Sequence, residues 1–285
     1  SSGIELATTD TMVEGGHFHQ HTTSWYNLGW KVMASNASDI AAMGGFPLYA
    51  MVTLGLPPDT DVANVDELYI GILDLADKFH IKIVGGDMVR SSSVFITISL
   101  TGTTDVPAML RANAQSNDQI AITGQLGLSS AGLKLIQKPM KPEIGSDHLI
   151  TAHKTPYPLI DHGRILVSTG ITTAMDVSDG LVDDLGKLCT ASNVSARIDS
   201  ARIPIDSSLK TIFPNEYMNM VLYGGEDYAL IFCAPPHIMK CALSKLPNGG
   251  TVIGEILSGP SGQVSVIGTD GKEVKAERYG WDHYR

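Results

Sequence analysis

Acidic residues in this chain recur where a carboxylate is costly to leave alone, at the ends of apolar runs or beside glycine. Five segments stand out: Thr8-Thr9-Asp10, Ser38-Asp39, Gly85-Gly86-Asp87, Asp176-Val177-Ser178-Asp179-Gly180 and Gly224-Gly225-Glu226-Asp227. A carboxylate next to a buried strand calls for a cation, and glycine beside it lets a ligand approach the backbone and meet free N–H donors. Hard oxygen donors from several segments, without a thiolate–imidazole set, suit Mg²⁺ or Mn²⁺ rather than zinc. Each segment also has a plainer reading, because Asp beside Gly is common in turns and helix caps. Asp179 fits the N-cap of a helix starting near Leu181, and Asp183 and Asp184 read as solvated helix charges.

Other side chains offer less. His17, His19 and His21 alternate and would share a strand face, but no cysteine or carboxylate completes a zinc set at the usual spacing. Arg90 and Arg111 are candidate phosphate clamps. A GxxxxGK[ST] loop and a protein-kinase catalytic loop are both missing, and no Ser–His–Asp or Cys–His arrangement emerges from spacing.

The 285 residues suffice for about two domains, and 43% apolar with 18% charged residues excludes a disordered chain. A net charge of −10 disfavours a nucleic-acid binder, yet leaves phosphate substrates open through a bridging cation. Cys189, Cys233 and Cys241 read as reduced thiols. The longest apolar stretch, Ile40–Pro57, is interrupted by glycine and proline and is too short to span a bilayer. Without a leader-like opening, the expectation is a soluble, cytoplasmic protein with neither nucleic-acid nor membrane partners.

Positioning these acids falls to alternating helices and strands. Leu28, Val32, Ala37, Ile40 and Ala41 predict a helix over Leu28–Met43, stopped by Gly44-Gly45. A strand over Leu48–Leu56, a helix over Val62–Phe79 and a short strand Ile81–Val84 ending at Gly85-Gly86-Asp87 follow. Val94–Thr101 alternates as a strand and reads as an edge that a second copy of the chain would cover. Thr103–Asp118 loses periodicity, dividing the chain into residues 1–108 and 109–285. The second part predicts a strand over Gln119–Thr123 and a helix over Leu128–Ile136. An irregular stretch over Lys138–Pro158 precedes a buried strand Ala174–Ser178. A helix through Leu181, Leu185 and Leu188 and apolar runs at Val221–Leu222 and Ala229–Cys233 complete it. The fold class is α/β in two domains.

Seven runs together resemble the thiamine-monophosphate kinase family: Asp10-Thr-Met-Val-Glu-Gly-Gly-His17-Phe18, Asn36-Ala-Ser-Asp39-Ile-Ala-Ala-Met-Gly44, Val84-Gly-Gly-Asp87, Leu110-Arg111, Met175-Asp176-Val-Ser-Asp179-Gly-Leu181, Gly224-Gly-Glu226-Asp-Tyr228 and Gly280-Trp281-Asp-His283. They occur in the family's order over nearly the whole chain. The resemblance implies a PurM-like fold, with an N-terminal α/β domain whose sheet pairs with a second subunit and a C-terminal α/β domain that completes a nucleotide cleft. It implies that Thr8, Thr9, Asp10, Asp39, Asp87, Asp176 and Asp179 ligate several Mg²⁺ ions, with Asp39, Asp87 and Asp179 the catalytic members. It matches Gly86, Asp87, Arg111 and Ser178 to ATP contacts, and His17, Glu226 and Trp281 to substrate contacts. The family also carries a Gly-Asp-Asp segment upstream of Thr8-Thr9-Asp10, before Ser1. The implied partners are ATP and thiamine monophosphate, in a homodimer, and the implied reaction is direct in-line phosphoryl transfer. Two readings compete: a catalytically impaired nucleotide-binding regulator, or another PurM-like enzyme such as aminoimidazole ribonucleotide synthetase.

Overall fold

A computed structural model describes residues 3–138 and 145–274. Its first strand, β1 (Ile4–Val13), buries Leu6 and Met12 and carries Thr8 and Asp10 in the same alternate row. Helix α1 (Trp25–Ala42) starts at Ser24, whose hydroxyl accepts from the Asn27 amide, and ends before Gly44, which takes φ +73°. It leads into β2 (Phe46–Leu56), α2 (Val62–Lys78), β3 (Lys82–Arg90) and β4 (Phe95–Thr104). These strands form a sheet of order β1-β4-β2-β3 in which only β2 and β3 run parallel.

Helices α1 and α2 pack together closely because each supplies a glycine at the contact. A Cβ on Gly29 would lie 2.0 Å from the Leu68 carbonyl oxygen, and one on Gly71 2.0 Å from that of Tyr26. The other sheet face is open and displays Tyr49 and Met51 at about half exposure (51% and 49%).

Three expectations change here. The strand at Val94–Thr101 is not an edge: β4 lies between β1 and β2, and β1 and β3 are the outer strands. The segment around Thr8-Thr9-Asp10 is a ten-residue strand that covers it, rather than a strand terminus. Likewise the strand at Ile81 does not stop at the glycines but continues to Arg90, alongside Met51–Leu56. Gly86 permits this, since a Cβ there would stand 1.9 Å from the Val52 carbonyl oxygen.

The second half contributes β5 (Gln119–Ile122), α3 (Leu128–Gln137), α4 (Ser146–Lys154), α5 (Ile160–Ser168), β6 (Thr173–Asp176), α6 (Leu181–Ser192) and β7 (Ser195–Asp199). It continues through α7 (Ser207–Ile212), α8 (Tyr217–Tyr223), β8 (Leu230–Ala234), α9 (Pro236–Lys245), β9 (Thr251–Leu257) and β10 (Val264–Ile267). Among the described residues its sheet runs β10-β7-β9-β5-β8-β6. Helix α4 occupies part of the stretch expected to be irregular, where Leu149 and His153 turn one side inward. No helix among the described residues is long and apolar enough to cross a membrane.

Helix α1 is the wall between the halves. It packs on β1 and β4 of the first sheet and on α4, α5 and β6 of the second half. Contact on several sides explains why it is buried almost all round, polar positions Lys31, Asn36 and Ser38 included. Its polar residues therefore project into the boundary where β1 and β6 bring theirs.

Candidate active site

At that boundary three acids from three elements converge. Asp39, near the end of α1, accepts a hydrogen bond from Thr8 Oγ1 of β1 at 2.5 Å. Asp10, two residues along β1 on the same face, accepts from the Thr11 amide at 2.8 Å. Asp176, closing β6, is 5% exposed and accepts from Ser38 Oγ at 2.6 Å. Burial raises the Asp39 pKa, and the Asp10 charge adds to this against the opposing Thr8 bond. Burial above all, then the Asp39 charge, pushes Asp176 up to about 8. The buried Tyr228 phenol, raised by burial, also senses Glu226, Asp10, Asp176 and Asp39, so it marks where these carboxylates face one another.

The loop after β6 and the first turn of α6 hold a second acidic set. Asp184 is not a solvated helix charge but has no exposed side-chain surface, because its carboxylate accepts the consecutive amides of Ser178, Asp179 and Gly180 at 2.9, 2.9 and 3.1 Å. It thus supplies the capping that Asp179 was expected to provide; the cap residue of α6 is Gly180. Asp179, Asp183 and Asp184 could together hold a metal ion, but Lys187 already reaches all three, at 2.8 Å for Asp183 and Asp184. Burial alone would lower the Lys187 pKa; its bonds to the three acids outweigh that and raise it.

The substrate-side residues meet nearby. The Glu226 amide donates to the Ser178 carbonyl at 2.8 Å, which ties two expected site residues together through backbone. Burial would raise Glu226, yet Lys31, His153 and His17 together hold its carboxyl below the usual range. His17 is therefore close to Glu226, and its Nδ1 accepts from the Val13 amide. His17, His19 and His21 lie in the turns after β1 rather than on a strand. Asp227 caps a different element, accepting from the Gly127 and Ser129 amides at the start of α3.

Asp87 and Arg111 stand apart. Along the paired rows Asp10–Ile98, Ile98–Val52 and Val52–Gly86, Asp87 is three strands from β1, about 14 Å at ordinary strand spacing. One ion cannot join it to Asp39 and Asp176. It faces a groove of about 670 Å³ lined by Val52, Tyr69, Ile83, Gly85, Gly86 and Met88. Arg111 follows Leu110, whose amide donates to Thr172 before β6 begins; this is the end of β6 opposite Asp176. Trp281 lies outside the described residues.

Residues that sequence reasoning passed over include Lys31, His153, Tyr228 and Lys187. Lys31 had a signal: it follows Leu28 by three positions, on the apolar side of α1. The donor set itself, all carboxylate and hydroxyl oxygen with negative charge gathered in a buried site, fits a hard divalent cation.

The AIR synthase related protein family matches through its N-terminal domain over residues 4–106 and its C-terminal domain over residues 115–267. A thiamine-monophosphate kinase of Bacillus subtilis (strain 168) is 34% identical, covering 99% of this chain and 88% of its own. A solved structure, AaThiL complexed with AMPPCP and TMP, superposes with a TM-score of 0.86 at 33% identity, covering 97% of this chain and 86% of that one. Hydrogenase maturation protein HypE in complex with ATP shares the fold at 19% identity, with a TM-score of 0.79 over 96% of this chain and 84% of that one.

Proposed function

The chain belongs to the thiamine-monophosphate kinase family of AIR synthase related proteins, and from that premise we propose how its residues perform the reaction. The protein is an ATP-dependent kinase that phosphorylates thiamine monophosphate to thiamine diphosphate, in thiamine diphosphate biosynthesis. The observation that carries the mechanistic reading is the meeting of Asp10, Asp39 and Asp176 where α1, β1 and β6 close on one another.

The acceptor is a phosphate oxygen, and with a second pKa of ~6 a phosphomonoester is already largely ionised near neutral pH. No strong base is needed to activate it. What the site must do is bring two polyanions together. Mg²⁺ held by Thr8, Asp10, Asp39, Asp176 and Asp179, with Asp87 on a separate ion, would screen that repulsion and stabilise the developing charge. Thr9 contributes only through its backbone, because its side chain lies on the opposite face of β1 against Ser99. Asp39, Asp87 and Asp179 are the catalytic members of this reading.

Thr8 and Ser38 fix the rotamers of Asp39 and Asp176 by donating to them. Asp184 shapes the Ser178–Gly180 backbone that borders the nucleotide. In this reading Ser178 contacts ATP beside Asp176, and Gly86, Asp87 and Arg111 are further ATP contacts that reach it from outside the Asp10–Asp39–Asp176 cluster. His17 and Glu226 receive thiamine monophosphate, together with Trp281. Transfer is direct and in line, within domains divided at 108/109.

Incubating the protein with Mg²⁺, ATP and thiamine monophosphate should yield thiamine diphosphate in equal amount to ADP. ADP without thiamine diphosphate would defeat this reading in favour of a nucleotide-handling regulator.

A cytoplasmic homodimer belongs to the same reading. The open face of the first sheet exposes Phe46, Tyr49, Met51 and Val84, an apolar surface that a second copy would cover. Met51→Asp should shift the mass measured by light scattering from dimer to monomer. An unchanged mass would remove this face from the interface.

A further inference from the structure

Lys31 is 4% exposed on the wall helix α1, and its ammonium lies 2.8 Å from Glu226 Oε2, in the loop that follows α8. An ammonium so enclosed is tolerated only when paired. Its other neighbour is the His153 ring of α4, whose nitrogens stand 3.3 and 3.4 Å away. That ring also meets Ser129 Oγ at 3.0 Å and Glu226 Oε2 at 3.4 Å. Burial first, then the Lys31 charge, lowers His153 to about 4, so near neutral pH the ring packs the pair without adding charge.

Glu226 is held unusually. It takes φ +65° and Tyr228 φ +51°, left-handed conformations that non-glycine residues adopt at a cost and keep only where surroundings impose them. The imposing contacts are the Glu226 amide on the Ser178 carbonyl and the Tyr228 amide on the Val177 carbonyl, with Asp227 pinned to α3 between them. The Glu226 side chain keeps 29% exposure while Lys31 keeps 4%. A ligand in the cleft can therefore touch the carboxylate but not the ammonium behind it.

We propose that Lys31 is a positioning residue for the kinase reaction: from the first half of the chain it fixes the Glu226 carboxylate, across the boundary, where that carboxylate receives the cationic thiamine portion of the substrate. The assignment rests on the reading of Glu226 as a substrate contact. Removing the ammonium leaves the carboxylate without its counter-charge, while the loop backbone keeps its own contacts and the acids that face the phosphates keep their own partners. The defect should thus fall on one substrate.

Steady-state kinetics of Lys31→Met, Glu226→Gln and the double variant test this. Lys31→Met should raise KM for thiamine monophosphate about tenfold or more and leave KM for ATP within about twofold, and the double variant should be no worse than the poorer single, as for two residues acting as one unit. Equal changes in both KM values, a fall confined to kcat, or multiplying effects in the double variant would overturn the proposal and leave Lys31 a structural residue. If Glu226→Gln raises KM for thiamine monophosphate but Lys31→Met does not, the positioning role alone fails. If Glu226→Gln changes neither KM, the substrate reading of Glu226 fails and this proposal with it. Should Lys31→Met not fold, Glu226→Asp withdraws the carboxylate from Lys31 with both charges kept. It should then show the same one-sided rise in KM, and its absence would count against the pair equally.

Discussion

Two groups of carboxylates lie on either side of the short turn after β6 and meet opposite fates. Asp179, Asp183 and Asp184 share one ammonium, that of Lys187, and Asp184 in addition spends its oxygens on three backbone amides. Asp10, Asp39 and Asp176 receive the hydroxyls of Thr8 and Ser38 and the amides of Thr11 and Asp176 itself, and among the described residues no lysine or arginine pairs with them. Both groups are acidic and near glycine, so composition does not separate them. The separating quantity is compensation. Asp184, buried and met inside the chain, holds the fold together; Asp179 is open to a cation only by displacing Lys187; and an acid whose charge is left unmet is kept for something that arrives from outside.

The sharpest way to break this contrast is to neutralise an uncompensated acid. Asp176→Asn keeps the hydrogen bond from Ser38 and removes the charge. Turnover should fall at least about a thousandfold, the loss expected when several kcal/mol of cation-mediated stabilisation disappear. The metal-free protein should nevertheless become more stable. Asp176 in the fold has a pKa near 8, raised mainly by burial from the ordinary 3.8, so ionising it opposes folding. Its protonated form costs nothing below pH 4. As pH rises from about 4 towards 8, the unfolded chain releases the proton first, and native stability declines across that window. Melting of the metal-free protein between pH 5 and 8 should show this decline, Asp176→Asn should flatten it, and Mg²⁺ should offset it in the wild-type chain. A variant that melts lower than wild type at pH 8 without metal would mean that Asp176 is already compensated.

The compensated side gives the opposite sign. Asp184→Ala strips three amides and one ammonium of their acceptor in an enclosed site, and a broken buried pair of this kind costs about 3–5 kcal/mol. Denaturant unfolding should detect that loss, while the KM for thiamine monophosphate of the protein that remains folded stays near wild type. Unchanged stability together with lost Mg²⁺ dependence would move Asp184 into the metal-binding group.

Much of this arrangement could be read in advance, and the gaps have a physical pattern. Periodicity located α1, α2 and α6, since each buries a face at helical spacing, and it placed Asp39 and Asp176 at the ends of buried elements. It failed where the answer depends on residues distant in the chain. That β4 is interior depends on β1 pairing with it, some ninety positions away. Asp184 looks like its neighbour Asp183 until the Ser178–Gly180 backbone folds over it. Lys31 stands out only by its place on the apolar side of α1, and Glu226, 195 positions later, shows why it is inside. The separation of Asp87 from Asp39 likewise reflects strand order, which local pattern does not encode.

Lys187 provides the finest test of the contrast, because it is the ammonium that all three acids of the second group share. It is 37% exposed, so water and salt already screen its three ion pairs. The stabilisation it contributes should stay near the ~1 kcal/mol of partly exposed pairs, despite its raised pKa. Lys187→Met should therefore lower the unfolding midpoint modestly at low ionic strength and less at high salt. If compensation is what distinguishes the groups, the same substitution exposes Asp179, Asp183 and Asp184 as an unmet charge and gives the metal-free protein a new Mg²⁺-dependent stabilisation larger than that of wild type. Should Mg²⁺ protect Lys187→Met no better than the parent, the neutrality of this group would owe more to the amides under Asp184 than to the ammonium above it, and backbone rather than lysine would be what divides the two clusters.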